Sequence, residues 1–288
     1  MTKNVLSDLN VAFIGAGAMA SAMIGGLLAR HDVEPDGVIA SDRHRERLDA
    51  VGGQFGVRTT LDNLAAARHA HVVVLSVKPQ VLPGVLAELR GAVEPGALVV
   101  SIVAGATIAS IATGLGHRGI VRTMPNTPAQ VGEGMTVWTA TPEVSEGQRE
   151  QAGAIVAALG RQLFVEEERF LDMATAISGS GPAYVFLMME ALIDAAVHLG
   201  FSRDAARELV VQTIRGSAIY AENQPVHPAE LRNRVTSPGG TSADALYQLE
   251  KGGFRTVMSD AVLAAYERSV ALGEMSTKAA SAKAASAG

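Results

Sequence analysis

The sequence contains no cysteine, which excludes disulfides, thiolate nucleophiles and cysteine-based zinc or iron–sulfur sites. The seven histidines are scattered, without an HxxxH or HExxH spacing, so we expect no metal. Aromatic residues make up only 4% of a chain that is 48% hydrophobic. Aliphatic side chains must therefore fill most of the core.

Long apolar runs and clusters of basic residues are also scarce. The longest apolar run, 72–77, is far too short to cross a bilayer, and the first ten residues lack the layout of a signal peptide. The net charge of −5 offers nothing to attract a phosphate backbone. We therefore expect a soluble, cytoplasmic protein that binds neither membranes nor nucleic acid.

The first half of the chain alternates short apolar segments with helical patterns. Continuous apolar strands joined by helices are typical of a mostly parallel, doubly wound α/β sheet. We predict a Rossmann-type domain over residues 1–165, with strands at 11–14, 38–41, 72–77, 98–103, 120–124, 135–140 and 162–165.

Strand signals stop near Glu166, and long alanine-rich helical segments follow. We predict an all-α substrate-binding and dimerisation domain over 166–275, and a disordered tail at 276–288. Met188, Leu192 and Leu209 fall on several faces of their helices, and helices that are apolar nearly all round need cover on every side. A dimer or larger assembly provides that cover; a monomeric bundle is the alternative.

The segment between the first strand and the first helix, Gly15-Ala16-Gly17-Ala18-Met19-Ala20, matches the dinucleotide fingerprint GxGxxA. Gly15 permits a tight turn, and Gly17 lets the backbone approach a pyrophosphate. Ala18 and Met19 begin a helix whose free N–H groups attract phosphates. We predict a dinucleotide site here; a glycine-rich turn of another doubly wound fold is the alternative.

The second predicted strand ends in Ser41-Asp42-Arg43-His44-Arg45. An acid at this position accepts hydrogen bonds from the ribose of NAD, whereas an arginine pairs with the 2′-phosphate of NADP. Both residue types are present. We favour NADPH on account of Arg43 and Arg45, with NADH as the alternative.

Further segments follow strands at their carboxyl ends, where ligands bind in open α/β sheets. Their small residues and rigid prolines suit a flat nicotinamide ring, and they comprise Val77-Lys78-Pro79, Val103-Ala104-Gly105 and Met124-Pro125-Asn126. In the helical half, hydroxyls and glycines at 236–242 precede a predicted helix. This arrangement suits a small carboxylate, or else is an ordinary helix cap.

With these motifs the sequence resembles the pyrroline-5-carboxylate reductase family over residues 11–272. The matching segments are 13–17, 76–80, 122–128, 178–184 and 235–242. The resemblance implies a Rossmann domain and a helical domain that interlocks in a dimer, with dimers assembling further into a decamer. It implies reduction of L-1-pyrroline-5-carboxylate to L-proline by NADPH or NADH, the final step of proline biosynthesis.

The resemblance also assigns substrate-binding residues: Ser237, Gly239, Gly240, Thr241 and Ser242. The Ser237 hydroxyl and the Gly240 and Thr241 amides would hold the carboxylate, and the Ser242 hydroxyl, the catalytic group, would lie near the ring nitrogen. Two residues depart from the family pattern. Ala18 stands where the family commonly has Asn, and Ser242 where it commonly has Thr.

Three alternative functions are a β-hydroxyacid dehydrogenase, another imine reductase and a nucleotide-sensing protein without turnover. β-Hydroxyacid dehydrogenases resemble one another in a catalytic lysine early in the second domain, and this chain has no lysine between Lys78 and Lys251. Without an amine base to take a hydroxyl proton, an imine is favoured over an alcohol as substrate. Oxidation of NADPH with and without the imine separates an enzyme from a sensor.

Overall fold

The computed structural model describes residues 4–286 of the chain, with side chains described up to residue 278. One compact unit runs to Ser180 and takes up the chain again from Ala265; the other is Gly181–Ala264. These bounds differ from the predicted domains, 1–165 and 166–275, because the first helix after the sheet and the end of the last helix pack with the sheet.

The first unit is built on an eight-stranded sheet in the order β3-β2-β1-β4-β5-β6-β7-β8. Its strands are β1 (Val11–Ile14), β2 (Val38–Ser41), β3 (Arg58–Thr60), β4 (Val72–Leu75), β5 (Leu98–Ser101), β6 (Ile120–Met124), β7 (Gly134–Ala140) and β8 (Gly160–Phe164). Neighbouring strands are parallel except β6 and β7. The predicted doubly wound, mostly parallel sheet is confirmed.

Helices cover both faces of this sheet, so its central strands are buried on both sides. In β1, Val11 and Phe13 enter one apolar core, while Ala12 and Ile14 enter the other. Successive side chains of a strand point to opposite faces of the sheet, so alternate residues of β1 enter different cores. The covering helices are α1 (Ala18–Ala29), α2 (Arg45–Phe55), α3 (Asn63–Ala67), α4 (Leu82–Leu89), α5 (Ile108–Leu115) and α6 (Glu146–Ala157).

The sequence analysis missed β3 and α3. The strand is a short edge strand of Arg58-Thr59-Thr60, so it carries no apolar signal. The helix has only five residues, and it is stabilised at its start by Asp62, whose side chain accepts a hydrogen bond from the Ala65 amide at 3.0 Å. Both elements depend on local polar contacts that hydrophobic periodicity does not detect.

Helices alone follow the sheet, as predicted. They are α7 (Arg169–Ala174), a π-helical turn at Thr175–Gly179, α8 (Gly181–His198), α9 (Arg203–Glu222), α10 (Pro228–Arg234), α11 (Thr241–Lys251) and α12 (Phe254–Ser286). The last helix includes residues 276–286, so the prediction of a disordered tail is corrected over that range. Residues 287 and 288 lie outside the described part of the chain.

Helix α8 leaves much apolar surface uncovered. None of its residues is buried, and Phe186 and Leu187 are 57% and 68% exposed. The stretch Arg169–His198 is long and apolar enough to span a membrane by length and composition, a property that core helices of soluble proteins share. Small and polar residues interrupt it, so it contains no long continuous apolar run. A surface of this kind marks contact with another apolar body.

A buried ion-pair cluster connects α7 and α12 to the sheet. Arg122 of β6 is 3% exposed; it donates to Glu168 at 2.7 Å and to Asp172 at 3.3 Å. Asp172 also accepts from the Ser269 hydroxyl at 2.9 Å, and Glu168 from the Ile108 amide at 2.8 Å. Glu168, the last residue of the acidic run 166–168, is therefore a partner of a buried arginine.

Removing the charge of Glu168 should destabilise the first unit. In Glu168→Gln, the buried Arg122 guanidinium loses its shortest ion pair, which costs about 3 kcal/mol of unfolding free energy. Urea unfolding followed by the fluorescence of the one tryptophan, Trp138, measures the change. The matched control is Glu167→Gln, since Glu167 pairs with Arg169 at the surface; it should change stability by less than about 0.5 kcal/mol. Equal losses in both variants would contradict the role of the cluster.

Candidate active site

The turn between β1 and α1 requires glycine at its first position. Gly15 has φ +107°, and a Cβ there would lie 2.8 Å from the Ser76 carbonyl oxygen. The Ser76 hydroxyl donates to the Gly15 carbonyl at 2.7 Å, and the Gly15 amide donates to the Ser41 carbonyl at 2.8 Å. The turn is thus attached at once to the ends of β2 and β4.

Gly17 lies in open space by contrast. A Cβ at this position would have no protein atom within 4 Å, and its backbone has no positive φ. Helix α1 begins directly after it without a side-chain cap and without an acidic residue in its first turn. The unshielded helix start and the empty space above Gly17 fit a pyrophosphate.

Asp42 connects this turn to the start of α2. Its carboxylate accepts hydrogen bonds from the Ala16 amide at 3.0 Å and the His44 amide at 2.9 Å, and it lies 3.4 Å from Arg47. Burial by itself raises the pKa of Asp42, but the two amide hydrogen bonds and the Arg47 charge outweigh burial and hold the pKa below its ordinary value of 3.8. Asp42 is therefore ionised, and its hydrogen bonds stabilise the turn.

A cleft of about 880 Å³ opens at the carboxyl ends of the strands, above this turn. Most of the predicted cofactor-binding residues line it: Gly15, Gly17, Ala18, Met19, Asp42, Arg43, Val77, Lys78, Pro79, Val103, Ala104 and Pro125. The volume suits a dinucleotide or a ligand of similar size. Their contact with a cofactor stays a prediction.

The structure places the other predicted cofactor residues outside the cleft lining. Ser41 is fully buried, and its hydroxyl donates to Asn63 at 2.8 Å. Asn126 has both polar atoms occupied, by the Ser178 carbonyl and the Met135 amide.

Met124 and Gly105 are likewise engaged in packing. Any Cβ on Gly179 would lie 2.6 Å from the Met124 methyl, and one on Gly105 would lie 3.2 Å from the Leu272 Cβ in α12. These two residues, with Ser41 and Asn126, make contacts inside the protein, and their contact with a cofactor stays a prediction.

Sequence reasoning missed the wall of the cleft formed by α4 and its surroundings: Arg47, Asn63, Ser76, Val81, Gly84, Val85, Glu88 and Ile102. A signal was present, since residues 81, 84, 85 and 88 have the spacing of one helix face. Arg47 lies four residues beyond Arg43 and lines the cleft as well. Arg45, favoured from the sequence, does not line the cleft.

The second unit carries the predicted carboxylate turn at the start of α11. Gly239 has φ +71°, Gly240 is the N-cap of the helix, and the Gly240 amide donates to the Ser237 carbonyl at 3.0 Å. A Cβ on Gly240 would overlap the Ser237 hydroxyl oxygen, so a side chain there would force the Ser237 hydroxyl to move. No side chain caps α11. Its first amides, including those of Thr241 and Ser242, lack helical acceptors and suit a carboxylate.

Metal chemistry has no apparent site in the described part of the chain. Within residues 4–286, no group of three or more His, Asp or Glu residues is placed to hold a metal ion.

Comparison with family models covers both parts of the chain. Residues 168–272 match the model described as pyrroline-5-carboxylate reductase dimerisation, and residues 10–105 match the model described as NADP oxidoreductase, coenzyme F420-dependent. The first match, to a dimerisation domain, includes α8 with its exposed apolar surface.

Full-length relatives agree with these matches. The pyrroline-5-carboxylate reductase of Pseudomonas aeruginosa is 44% identical over 93% of this chain and 98% of that protein. The solved pyrroline-5-carboxylate reductase of Coxiella burnetii is 40% identical, with TM-score 0.85, over 92% of this chain and 98% of that one. The Plasmodium falciparum pyrroline carboxylate reductase, solved with NADP bound, is 32% identical with TM-score 0.85, over 93% and 99%.

Two alanine substitutions in the turn should have opposite signatures. Gly17→Ala adds a methyl group in open space, so unfolding free energy should change by less than about 1 kcal/mol while dinucleotide affinity falls at least about tenfold. Gly15→Ala forces a side chain against the Ser76 carbonyl at positive φ and should destabilise the fold itself. Calorimetric titration with NADPH and thermal unfolding separate the two effects. If Gly17→Ala bound NADPH with normal affinity, the prediction that the pyrophosphate binds at this turn would be wrong.

The lowered pKa of Asp42 predicts an acid-dependent contribution to stability. A carboxyl group with a depressed folded-state pKa stabilises the fold above its ordinary value of 3.8, and the contribution is lost as pH falls through the folded-state pKa. Asp42→Asn should be less stable than wild type by about 1–2 kcal/mol at pH 6. Urea unfolding at pH 6, 4 and 3 should show this difference shrinking. A difference that stays constant with pH would contradict the prediction.

Proposed function

Because the chain belongs to the pyrroline-5-carboxylate reductase family, we propose that its dinucleotide cleft and its carboxylate turn together carry out the family reaction. The enzyme is an NAD(P)H-dependent oxidoreductase that acts on a C=N bond and reduces L-1-pyrroline-5-carboxylate to L-proline in proline biosynthesis. One observation carries the assignment of the cleft: the two glycines of the turn have different surroundings. Gly15 packs on Ser76, whereas Gly17 faces open space in which a phosphate fits.

The proposed division of work between the residues follows their local chemistry. Bound NAD(P)H supplies the hydride for the imine carbon. Thr241 and Ser242 offer main-chain amides, and Ser237 its hydroxyl, to the substrate carboxylate. The Gly240 amide, expected from the sequence to take part, already donates to the Ser237 carbonyl at 3.0 Å. The Ser242 hydroxyl orients the ring nitrogen, which either carries a proton when the substrate binds or takes one from water as the hydride adds to the carbon. Holding two reactants in a reactive geometry can lower a barrier by roughly 7–11 kcal/mol, so little covalent chemistry is asked of the protein.

Hydride transfer needs direct contact between the nicotinamide and the imine carbon. We therefore propose that the substrate whose carboxylate is held by the turn 237–242 is the one reduced by the nicotinamide. Val103, Ala104 and Pro125 are the cleft residues we assign to the nicotinamide, since their small or rigid side chains leave room for a flat ring.

NADPH is the proposed cofactor, with NADH as a slower substitute. Arg43, Arg47 and Lys78 line the cleft and favour the additional 2′-phosphate. Asp42, the acid that would otherwise read the ribose of NADH, has its carboxylate occupied by the Ala16 and His44 amides. The Asp42 carboxylate would repel a 2′-phosphate if it were free, but it already accepts hydrogen bonds from these two amides.

We propose further that the enzyme is soluble and cytoplasmic, and that it needs no metal. Self-association follows from the dimerisation region, and the resemblance to the family extends the proposal to a decamer made of five dimers. Size-exclusion chromatography with light scattering gives the number of chains.

The function is tested by following NADPH absorbance with the five-membered imino acid, its six-membered analogue, and a β-hydroxyacid in the reverse direction with NADP. We expect rapid oxidation of NADPH with the five-membered imine and slower oxidation with NADH. Turnover of the β-hydroxyacid alone, or dinucleotide binding without any turnover, would overturn the proposal in favour of a dehydrogenase or a sensor.

Ser242→Ala should lower kcat about 10- to 100-fold and leave the Kd for NADPH within about twofold, because one hydrogen bond to the reacting ring is lost. Ser242→Thr, which keeps the hydroxyl, should retain most of the activity and serves as the matched variant. Stopped-flow kinetics and calorimetric titration provide the two values. Full activity in Ser242→Ala would show that this hydroxyl has no catalytic part.

A further inference from the structure

One face of α4 forms a wall of the cleft with an unusual composition. Val81, Gly84, Val85 and Glu88 are spaced as one helix face, and all four line the cleft. A Cβ on Gly84 would meet no atom within 4 Å. The face therefore has an apolar surface with a shallow gap where a side chain is missing, and it ends in a carboxylate.

Two neighbours fix the position of that carboxylate. The buried Ser41 hydroxyl donates to the Asn63 side-chain oxygen at 2.8 Å, which leaves the Asn63 amide nitrogen directed to Glu88. That nitrogen donates to Glu88 Oε2 at 2.9 Å. The chain Ser41–Asn63–Glu88 thus ends in an exposed carboxylate that Asn63 orients and whose Oε1 makes no hydrogen bond within the described residues. Its Oε1 is available to accept a hydrogen bond from a ligand in the cleft.

A carboxylate in this position would repel the phosphates of a dinucleotide, so its partner must be a donor on a part of the cofactor that carries no charge. The exocyclic amine of adenine is such a donor, and it lies at the edge of a flat ring. The Val81–Gly84–Val85 surface suits the face of that ring, and Arg43 lines the same cleft as a stacking partner.

We propose that Glu88 is a specificity-determining residue that reads the adenine base of the cofactor by accepting a hydrogen bond from its exocyclic amine. The inference rests on the proposed function, since it concerns the same cofactor. It adds that the cleft rejects dinucleotides whose base has a carbonyl oxygen at that position, because two acceptors would then face each other.

The test compares NADPH with its hypoxanthine analogue, in which a carbonyl oxygen replaces the adenine amine. Calorimetric titration without substrate gives the Kd of each, and KM and kcat with the five-membered imine provide a second measurement. Wild type should bind the analogue about tenfold more weakly than NADPH, the size of one hydrogen bond to a charged acceptor. The kcat values should agree, because the base takes no part in hydride transfer.

Glu88→Gln should bring the ratio of the two Kd values close to one, since an amide can accept from the amine or donate to the carbonyl. Glu143→Gln, at an exposed acid outside the cleft lining, is the matched control and should keep the wild-type ratio. Thermal unfolding checks that both variants are folded; should Glu88→Gln be unfolded, the wild-type ratio alone decides.

Equal affinity of wild type for the two dinucleotides, with normal turnover, would overturn this inference and leave the proposed function intact. The inference also fails if Glu88→Gln changes the NADPH-to-NADH ratio and not the ratio of the two bases, since Glu88 would then read the ribose. Absence of any dinucleotide binding would overturn the proposed function itself, and the inference with it.

Discussion

The carboxylate of Asp42 determines the shape of the dinucleotide turn. It accepts hydrogen bonds from the amides of Ala16 and His44, one in the turn after β1 and one before α2. Gly15 fits this arrangement because its backbone lies against Ser76, at the end of the next strand. Three strand ends are thereby held in register, and the open space at Gly17 follows from them. An anionic side chain inside an anion-binding site is stable here because its charge is already satisfied by the protein.

This arrangement explains why the same sequence feature supported opposite interpretations. An acid after the second strand is expected to read the ribose of NADH, and arginines beside it the phosphate of NADPH. Sequence alone does not show which hydrogen bonds a side chain makes. With both Asp42 oxygens occupied, the cations of the cleft set its electrostatic character, and Arg47 takes the place that the sequence suggested for Arg45.

Elements with a strong apolar signal were predictable, and those that depend on tertiary contacts were not. The strands at 11–14, 38–41 and 120–124 have the predicted bounds. In β1 the reason is plain, because a strand buried throughout is a continuous apolar run. The cleft-lining part of the site was predictable from glycines and prolines at strand ends. Ser41 and Asn126 do not line the cleft, because their polar groups are used inside the protein; their contact with a cofactor stays a prediction. Asn63 and Glu88 were missed because their importance depends on contacts between α3 and α4.

Helix α12 gives the fold an uncommon connectivity. The chain leaves the nucleotide-binding unit at Ser180 and re-enters it at Ala265. Ser269 then binds Asp172, and Thr277 lies 2.9 Å from Thr107. The nucleotide-binding unit is therefore not a detachable N-terminal module: a fragment that stops at Ser180 would lose the helix that packs behind Gly105. In this architecture the helical unit is an insertion in the sequence of the Rossmann unit, and the chain connects the two units twice, after Ser180 and before Ala265.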